Sequence, residues 1–309
     1  MGRPSYRDHT GCWARQMAEL GGSVIPVVLS PARTVGYGGF ELAVEGWVTS
    51  INGNSNHWRL GTEGDPNAGA DSCVDQDDPT RAISTGIGCN RFAPSTLFWS
   101  RLMARKAFPF GFQLGTGFSY LLGTNLFAWS LEVHWAIFEG FRTGVGGWFP
   151  DVAVRAAVNT LVGDSEFNMT VPSIDVIISK PIVLGSTARL TPFAAWQMAF
   201  IFADSELVDL TPGTDAFGEC APDPSQPGTV CTGSGFDYEN NETYDSLRMN
   251  RQRLNFGLQF HYQLIQLTGS FAFDLIDPAD MSDDAPSDIV DTSGNVISEG
   301  VGRQWTVAF

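Results

Sequence analysis

The clearest pattern in the chain lies between Pro109 and Phe138. Phe110, Phe112, Leu114, Thr116, Phe118 and Tyr120 fall on one face of an extended backbone, and Gly111, Gln113, Gly115, Gly117 and Ser119 on the other. Leu122-Gly123-Thr124-Asn125 has turn composition. Alternation then resumes, with Phe127, Trp129, Leu131, Val133, Trp135 and Ile137 opposite Ala128, Ser130, Glu132, His134 and Ala136. Side chains of a strand point alternately to its two faces, so this stretch predicts a two-faced antiparallel hairpin. A soluble sheet would turn the apolar face inward, and a transmembrane barrel would turn it out to lipid. The polar face is mostly Gly, Gln and Ser. That suits a narrow lumen better than a solvated face, because Gly weakens a strand that has no need of it.

The same period-2 pattern recurs along the chain. A first strand runs from about Gly38 to Thr49, with Phe40, Leu42, Val44 and Val48 opposite Glu41, Ala43, Glu45 and Trp47. A long loop, about Ile51 to Ala93, precedes a second strand at Thr96 to Ala107. A helix over Leu97 to Lys106 is the alternative there. As a strand it turns Phe98, Leu102 and Ala104 outward and sets Arg101 and Arg105 beside Glu41 and Glu45. The hairpin supplies strands three and four, and 139–150 is a Gly-rich connection. In strand five, Val152, Val154, Val158 and Val162 oppose Arg155 and Asn159; in strand six, Ile174, Val176 and Ile178 oppose Ser173, Asp175 and Ser179. Strand seven (about Thr187 to Ala203) turns Arg189, Thr191 and Gln197 inward. Strand eight sets Leu254, Phe256, Leu258, Phe260 and Tyr262 against Arg253, Asn255, Gly257, Gln259 and His261. Strand nine sets Leu267, Phe271, Phe273 and Leu275 against Gln266, Thr268, Ser270 and Asp274, and strand ten is Val301 to Phe309. Residues 1–35 are mixed, with Val24 to Leu29 either a short strand or a segment tucked under the barrel. They read as an N-terminal segment, periplasmic or plug-like, ahead of a barrel domain at 36–309.

The connections sort by parity. The long loops follow strands one, seven and nine, and the connections after strands two, six and eight are short; the connection after strand four, about a dozen residues, is the exception. In an antiparallel barrel this gathers the long loops at one end and both termini at the other. Bacterial outer-membrane barrels combine an even strand number with short turns at one end and long loops at the other.

Composition sharpens this picture. The 309 residues are 43% hydrophobic and only 17% charged, below the roughly 25% of soluble domains. No apolar run approaches the roughly 20 residues of a transmembrane helix, which excludes a helical membrane protein. The net charge of −16 argues against nucleic acid as a partner. The loop Asp204 to Leu247 alone carries ten acidic residues and no Lys or Arg. Of the five cysteines, Cys73 and Cys89 bracket one polar loop segment and Cys220 and Cys231 another, which predicts two local disulfides in an oxidising compartment. Zinc is the weaker alternative, since no CxxC or His partner lies nearby. Cys12 is left over. The N-terminus has no apolar signal-peptide core, which an exported barrel needs.

With these features the chain resembles the Gram-negative outer-membrane β-barrels as a broad class, over about residues 36–309. Its last residues, with the terminal aromatic Phe309 after alternate apolar Val307 and Trp305, are similar to the C-terminal assembly signal of that class. The resemblance implies location in the bacterial outer membrane with periplasmic termini. It also implies lipid as surroundings and the barrel-assembly machinery as a partner of the last strand. The class includes porins, structural barrels, adhesins and a few enzymes, so fold does not decide function.

The candidate chemistry is inside. Glu41, Glu45, Arg101, Arg105, Glu132, His134, Arg155, Asp175, Arg189, Arg253, His261 and Asp274 are predicted to line the lumen. Mixed signs fit a network of paired charges filling a small barrel; a narrow selective pore is the alternative. The ten-stranded surface proteases of the class use a His-Asp pair and acidic pairs at the outer rim. Only His57 of the four histidines falls in a predicted outer loop. The phospholipases and deacylases pair a Ser with a His at the lipid-facing edge, whereas His134 points inward. No catalytic site and no cofactor are expected. The acidic loops could meet an extracellular ligand or a divalent cation, but carry no EF-hand spacing. The leading expectation is a structural or surface-interaction barrel. A narrow porin-like channel for small polar solutes comes next, and a soluble β-barrel or sandwich binding protein third.

Overall fold

In a computed structural model of the chain, ten strands close into one antiparallel up-and-down barrel. The structure describes residues 7–53, 55–59, 94–139, 149–163, 167–185, 187–209, 220–222, 229–231, 241–277, 289–290, 296–298 and 301–309. The strands are β1 (Phe40–Ser50), β2 (Thr96–Ala107), β3 (Phe112–Leu121), β4 (Phe127–Phe138) and β5 (Asp151–Val162). They continue as β6 (Phe167–Ser179), β7 (Ala188–Ser205), β8 (Leu247–Tyr262), β9 (Ile265–Asp274) and β10 (Trp305–Ala308). Each pairs with its neighbours in the chain. The ring closes where β10 pairs with β1, Trp47 opposite Ala308. A short strand, Ile182–Leu184, pairs with the start of β7 outside the ring. The Thr96–Ala107 stretch is a strand in the expected phase: Arg101 and Arg105 are buried and Leu102 is exposed.

The faces run as the alternation predicts, with the apolar set outside. Trp129, Leu131, Val133 and Trp135 are each 39–46% exposed, while Ser130, Glu132 and His134 between them are buried. The inward-looking arrangement expected of a soluble barrel is therefore absent from this hairpin.

The lumen is occupied. Helix α1 (Arg7–Val24) and the extended strap that follows it, Ile25 to Ala32, lie inside the ring. Trp13, Met17, Leu20 and Val24 are all buried. At helical spacing these four form one apolar stripe, which is stable only when it is buried. Here the surrounding wall is apolar too. Around α1 the inward residues are Trp99, Leu121, Leu161, Met169, Ile201 and Met249, which form one core with the helix. Pro26 ends α1, since the residue before a proline is driven to extended backbone. The wall begins at the short-turn end at Phe40, as parity requires. But the chain before it runs back up the lumen, so that Trp13 stacks on Tyr244 just ahead of β8, ring centroids 5.6 Å apart. The start of α1 therefore lies toward the long-loop end of the barrel.

Glycines mark the tightest approaches. A Cβ on Gly21 would fall 2.5 Å from Ile201 of β7, and one on Gly22 would fall 1.8 Å from Gln304 Oε1. In the lower lumen a Cβ on Gly257 would fall 2.0 Å from the ring of Phe193. Gly257→Val is accordingly expected to lower stability by about 1–3 kcal/mol, the usual cost of overpacking. Adding Phe193→Leu should return part of it, measured by denaturant unfolding of the refolded barrel.

Candidate functional site: a charged girdle that holds the chain inside the barrel

Strand register sets the polar residues side by side. Across β3 to β9, Gln113, His134, Arg155, Asp175, Gln197, Arg253 and Asp274 are successive direct neighbours. Beside this row, Glu41 lies opposite Arg105 and Glu45 opposite Arg101. The result is a belt of charge around the inner wall, below α1.

The belt is paired throughout its centre. Arg155 Nε donates to Asp175 Oδ2 at 2.7 Å, and its Nη1 lies 3.3 Å from Glu132. Glu132 accepts from Arg105 Nε at 2.6 Å. Arg105 also reaches Glu41 at 2.8 Å and Glu45 at 2.7 Å. Arg101 Nε donates to Glu45 at 2.7 Å and its guanidinium lies over the Trp47 ring. On the other side of the ring Arg253 Nε donates to Asp274 at 2.8 Å, and Arg251 pairs with the same carboxylate. A buried charge is tolerated when it is paired and its remaining hydrogen-bonding positions are filled.

Several of those remaining positions go to the chain inside. Arg155 donates from Nη1 to the carbonyl of Val27 at 2.8 Å and from Nη2 to that of Pro26 at 3.1 Å. Gln197 donates to the same Pro26 carbonyl at 2.7 Å, and Asn159 to that of Val24 at 2.6 Å. Ser179 accepts from the Ala32 amide, Gln113 accepts from the Val35 amide, and His134 Nε2 lies 3.2 Å from the Ala32 carbonyl. The end of α1 is treated likewise. The indole of Trp47 donates to the Ser23 carbonyl and that of Trp99 to the Ser23 hydroxyl. Helix ends and extended segments carry backbone groups with no partner of their own, and a buried one must find it elsewhere.

Of the residues predicted to line the lumen, ten meet in this belt. Arg189 and His261 lie apart, opposite each other near the short-turn end, where both are partly exposed. Arg251, Gln304 and the strap carbonyls were not anticipated. Arg251 could have been found, since it stands two residues before Arg253 on the same face. Cys73 and Cys89 lie outside the described residues. Backbone pairing sets Cys220 directly opposite Cys231 in a small two-stranded ribbon. The last residues, Trp305 to Phe309, are in the wall: Trp305 and Val307 face outward, and Phe309 exchanges backbone hydrogen bonds with Gly46.

A second anchor lies at the long-loop end. Glu19 of α1 accepts from the Asn52 amide at 3.1 Å and from the Trp58 indole, and lies 3.5 Å from His57. His57 and Trp58 belong to a one-turn helix, α2 (Asn56–Arg59). Burial alone would push the Glu19 carboxyl up, but hydrogen bonds from His57 and Trp58 and the nearby imidazole hold it below its usual 4.5.

No protein-family model matches this chain, and no curated protein is similar to it. Function must be argued from the geometry.

Asp175→Asn, which leaves Arg155 buried against one fewer carboxylate, should cost about 3–5 kcal/mol, and Arg155→Met with Asp175→Leu should not recover it, because the Val27 carbonyl also loses its Arg155 donor. Denaturant unfolding of the single and double variants checks both. Because Glu19 is lowered in the folded state, its stabilisation is present above its unfolded pKa and is lost as pH falls through the folded value. The melting-temperature gap between wild type and Glu19→Gln should therefore close progressively as the pH falls below about 5.

Proposed function

We propose that this chain is an outer-membrane β-barrel whose own N-terminal segment closes its lumen, and that it serves a structural or surface-interaction role. The observation that carries this reading is the pairing of an apolar outer wall with a filled interior. Contiguous exposed apolar surface of this extent needs an apolar partner, and the band around the barrel suits lipid. The lumen that a pore would use is taken by α1 and the strap, each held by several wall side chains. What remains to face other molecules is the long-loop end, which is strongly acidic. A divalent cation or a basic extracellular partner is the chemistry those loops favour. The Cys220–Cys231 register fits a local disulfide there, as an oxidising compartment would allow. The reading assigns no catalytic step, and Phe309 at the barrel wall fits recognition by the assembly machinery.

The channel reading is retained in one form. An internal cavity remains below the strap, so release of the strap would open a path.

Planar-bilayer conductance of the full chain tests the proposal. Stable insertion without steady current is expected. Removing one anchor of the helix end and one of the strap together, Asn159→Ala with Gln197→Ala, should produce intermittent openings. Steady wild-type conductance of an empty lumen would contradict the plugged reading. Leu131→Lys on the outer wall should weaken insertion by about 2–4 kcal/mol, as a charge at mid-bilayer does. A barrel that stays soluble without detergent and ignores this substitution would contradict the membrane reading.

A further inference from the structure

The girdle and the plug leave one part of the lumen open. A cavity of about 730 Å³ lies at the short-turn end, below the strap. This is the size of a pocket for a small organic ligand. Its inner side is polar, with Arg33, Arg105, Gln113, Glu139, Gln259 and His261. Its other side is the wall between β1 and β9, and there the wall is interrupted. β10 joins β1 from Trp47 to Thr49 and β9 from Ser270 to Phe273, with one more exchange between Gly46 and Phe309. Below that level, among the described residues, 40–45 pair with β2 alone and 265–269 with β8 alone. Among the described residues one side-chain hydrogen bond bridges the space, Gln266 Nε2 donating to Glu41 Oε2 at 3.1 Å. On the outer surface Phe40, Leu42, Val44, Leu264, Ile265 and Phe309 are all exposed, and all border the same cavity. The space therefore runs from a polar interior, through the wall, to an apolar mouth.

The lining selects a class of occupant. Arg33, Arg105 and Arg189 are balanced by Glu41, Glu45 and Glu139, three charges of each sign. Arg33 lies 3.5 Å from Glu139, and Arg105 lies 2.8 Å from Glu41 and 2.7 Å from Glu45. A head group with net charge would unbalance this set, whereas a zwitterionic or neutral one would not. The two strand edges that face each other offer backbone donors and acceptors, which are costly to leave unmet beside hydrocarbon. A polar head can meet them, and the apolar mouth accepts one acyl chain.

We propose that this opening is a lateral binding site for a single-chain amphiphile with no net head-group charge. The head lies in the cavity near Arg105, Gln113 and Gln266, and the chain leaves between β1 and β9 along Leu42, Val44 and Ile265. The site rests on the membrane reading above.

The test uses the full chain in phosphatidylcholine vesicles carrying a trace of nitroxide-labelled lysophosphatidylcholine. Flotation reports insertion, and the electron paramagnetic resonance spectrum reports probe immobilised on the barrel. The site predicts about one immobilised probe per barrel, displaced by unlabelled dodecylphosphocholine. Ala43→Trp and Thr268→Trp, which fill the gap from its two edges, should each weaken retention by about tenfold or more. Leu131→Trp, on the far wall, should leave it unchanged. A labelled lysophosphatidylglycerol, with a net negative head, should be held about tenfold less tightly. Insertion without an immobilised, displaceable probe in the wild type overturns the lateral site and leaves the membrane reading standing. Equal retention by both gap-filling variants, or equal retention of the anionic probe, overturns it too. Failure to insert overturns the membrane reading itself.

Discussion

Arg155 joins the barrel wall to the chain inside it. Its guanidinium has five donors in a fixed plane. Two carboxylates, Asp175 and Glu132, and two strap carbonyls, Pro26 and Val27, use that fork from different sides. A neutral side chain could not hold the carboxylates, and a lysine could not reach all four in one plane. The constraint it resolves is general to a narrow barrel: any segment threaded through the lumen brings backbone groups that need partners, and the wall can supply only side chains.

The wall answers this constraint differently at two levels. Around α1, whose backbone is largely satisfied internally, most inward residues are apolar and pack against Trp13, Met17 and Leu20, while Arg251 and Gln304 donate to the carbonyls of Ala18 and Glu19. Around the strap, whose backbone is not satisfied internally, they are polar and charged. The transition comes at Ser23 and Val24, where the helix ends and its last carbonyls pass to Trp47 and Asn159. Gly21 and Gly22 let the helix approach β7 and Gln304 at this point. The segment is thus fixed through main-chain contacts on most sides of the ring, and a change in lumen access requires several of them to release together.

Much of the wall was legible in the sequence, because period-2 alternation survives wherever one face is apolar and the other polar. Glu132 and His134 between Leu131, Val133 and Trp135 show this, and so does the Glu41–Arg105 pairing. The signal failed where the pattern inverts, with apolar residues turned inward and polar ones such as Asn168, Thr170, Arg248 and Asn250 on the other face. Met169 and Val171 begin β6, and Leu247 and Met249 begin β8, yet both stretches lie outside the clean alternation because their inward face meets α1. The early boundary of β8 hid Arg251. Helix α1 did carry a helical spacing in Trp13, Met17, Leu20 and Val24, but Gly11, Gly21 and Gly22 lower its intrinsic propensity. The Glu19 anchor on Asn52, His57 and Trp58 joins distant segments, and no local pattern announces it.

Helix α1 occupies the lumen against β7. A disulfide across the closest approach tests it most directly. Gly21→Cys with Ile201→Cys replaces a contact in which the added Cβ would fall 2.5 Å from the Ile201 side chain. Peptide mapping of the oxidised, folded barrel should recover residues 21 and 201 linked together, in high yield and without reductant-sensitive change in fold. If the two thiols stay unlinked and both react with a water-soluble maleimide, the helix is not in the lumen and the account fails.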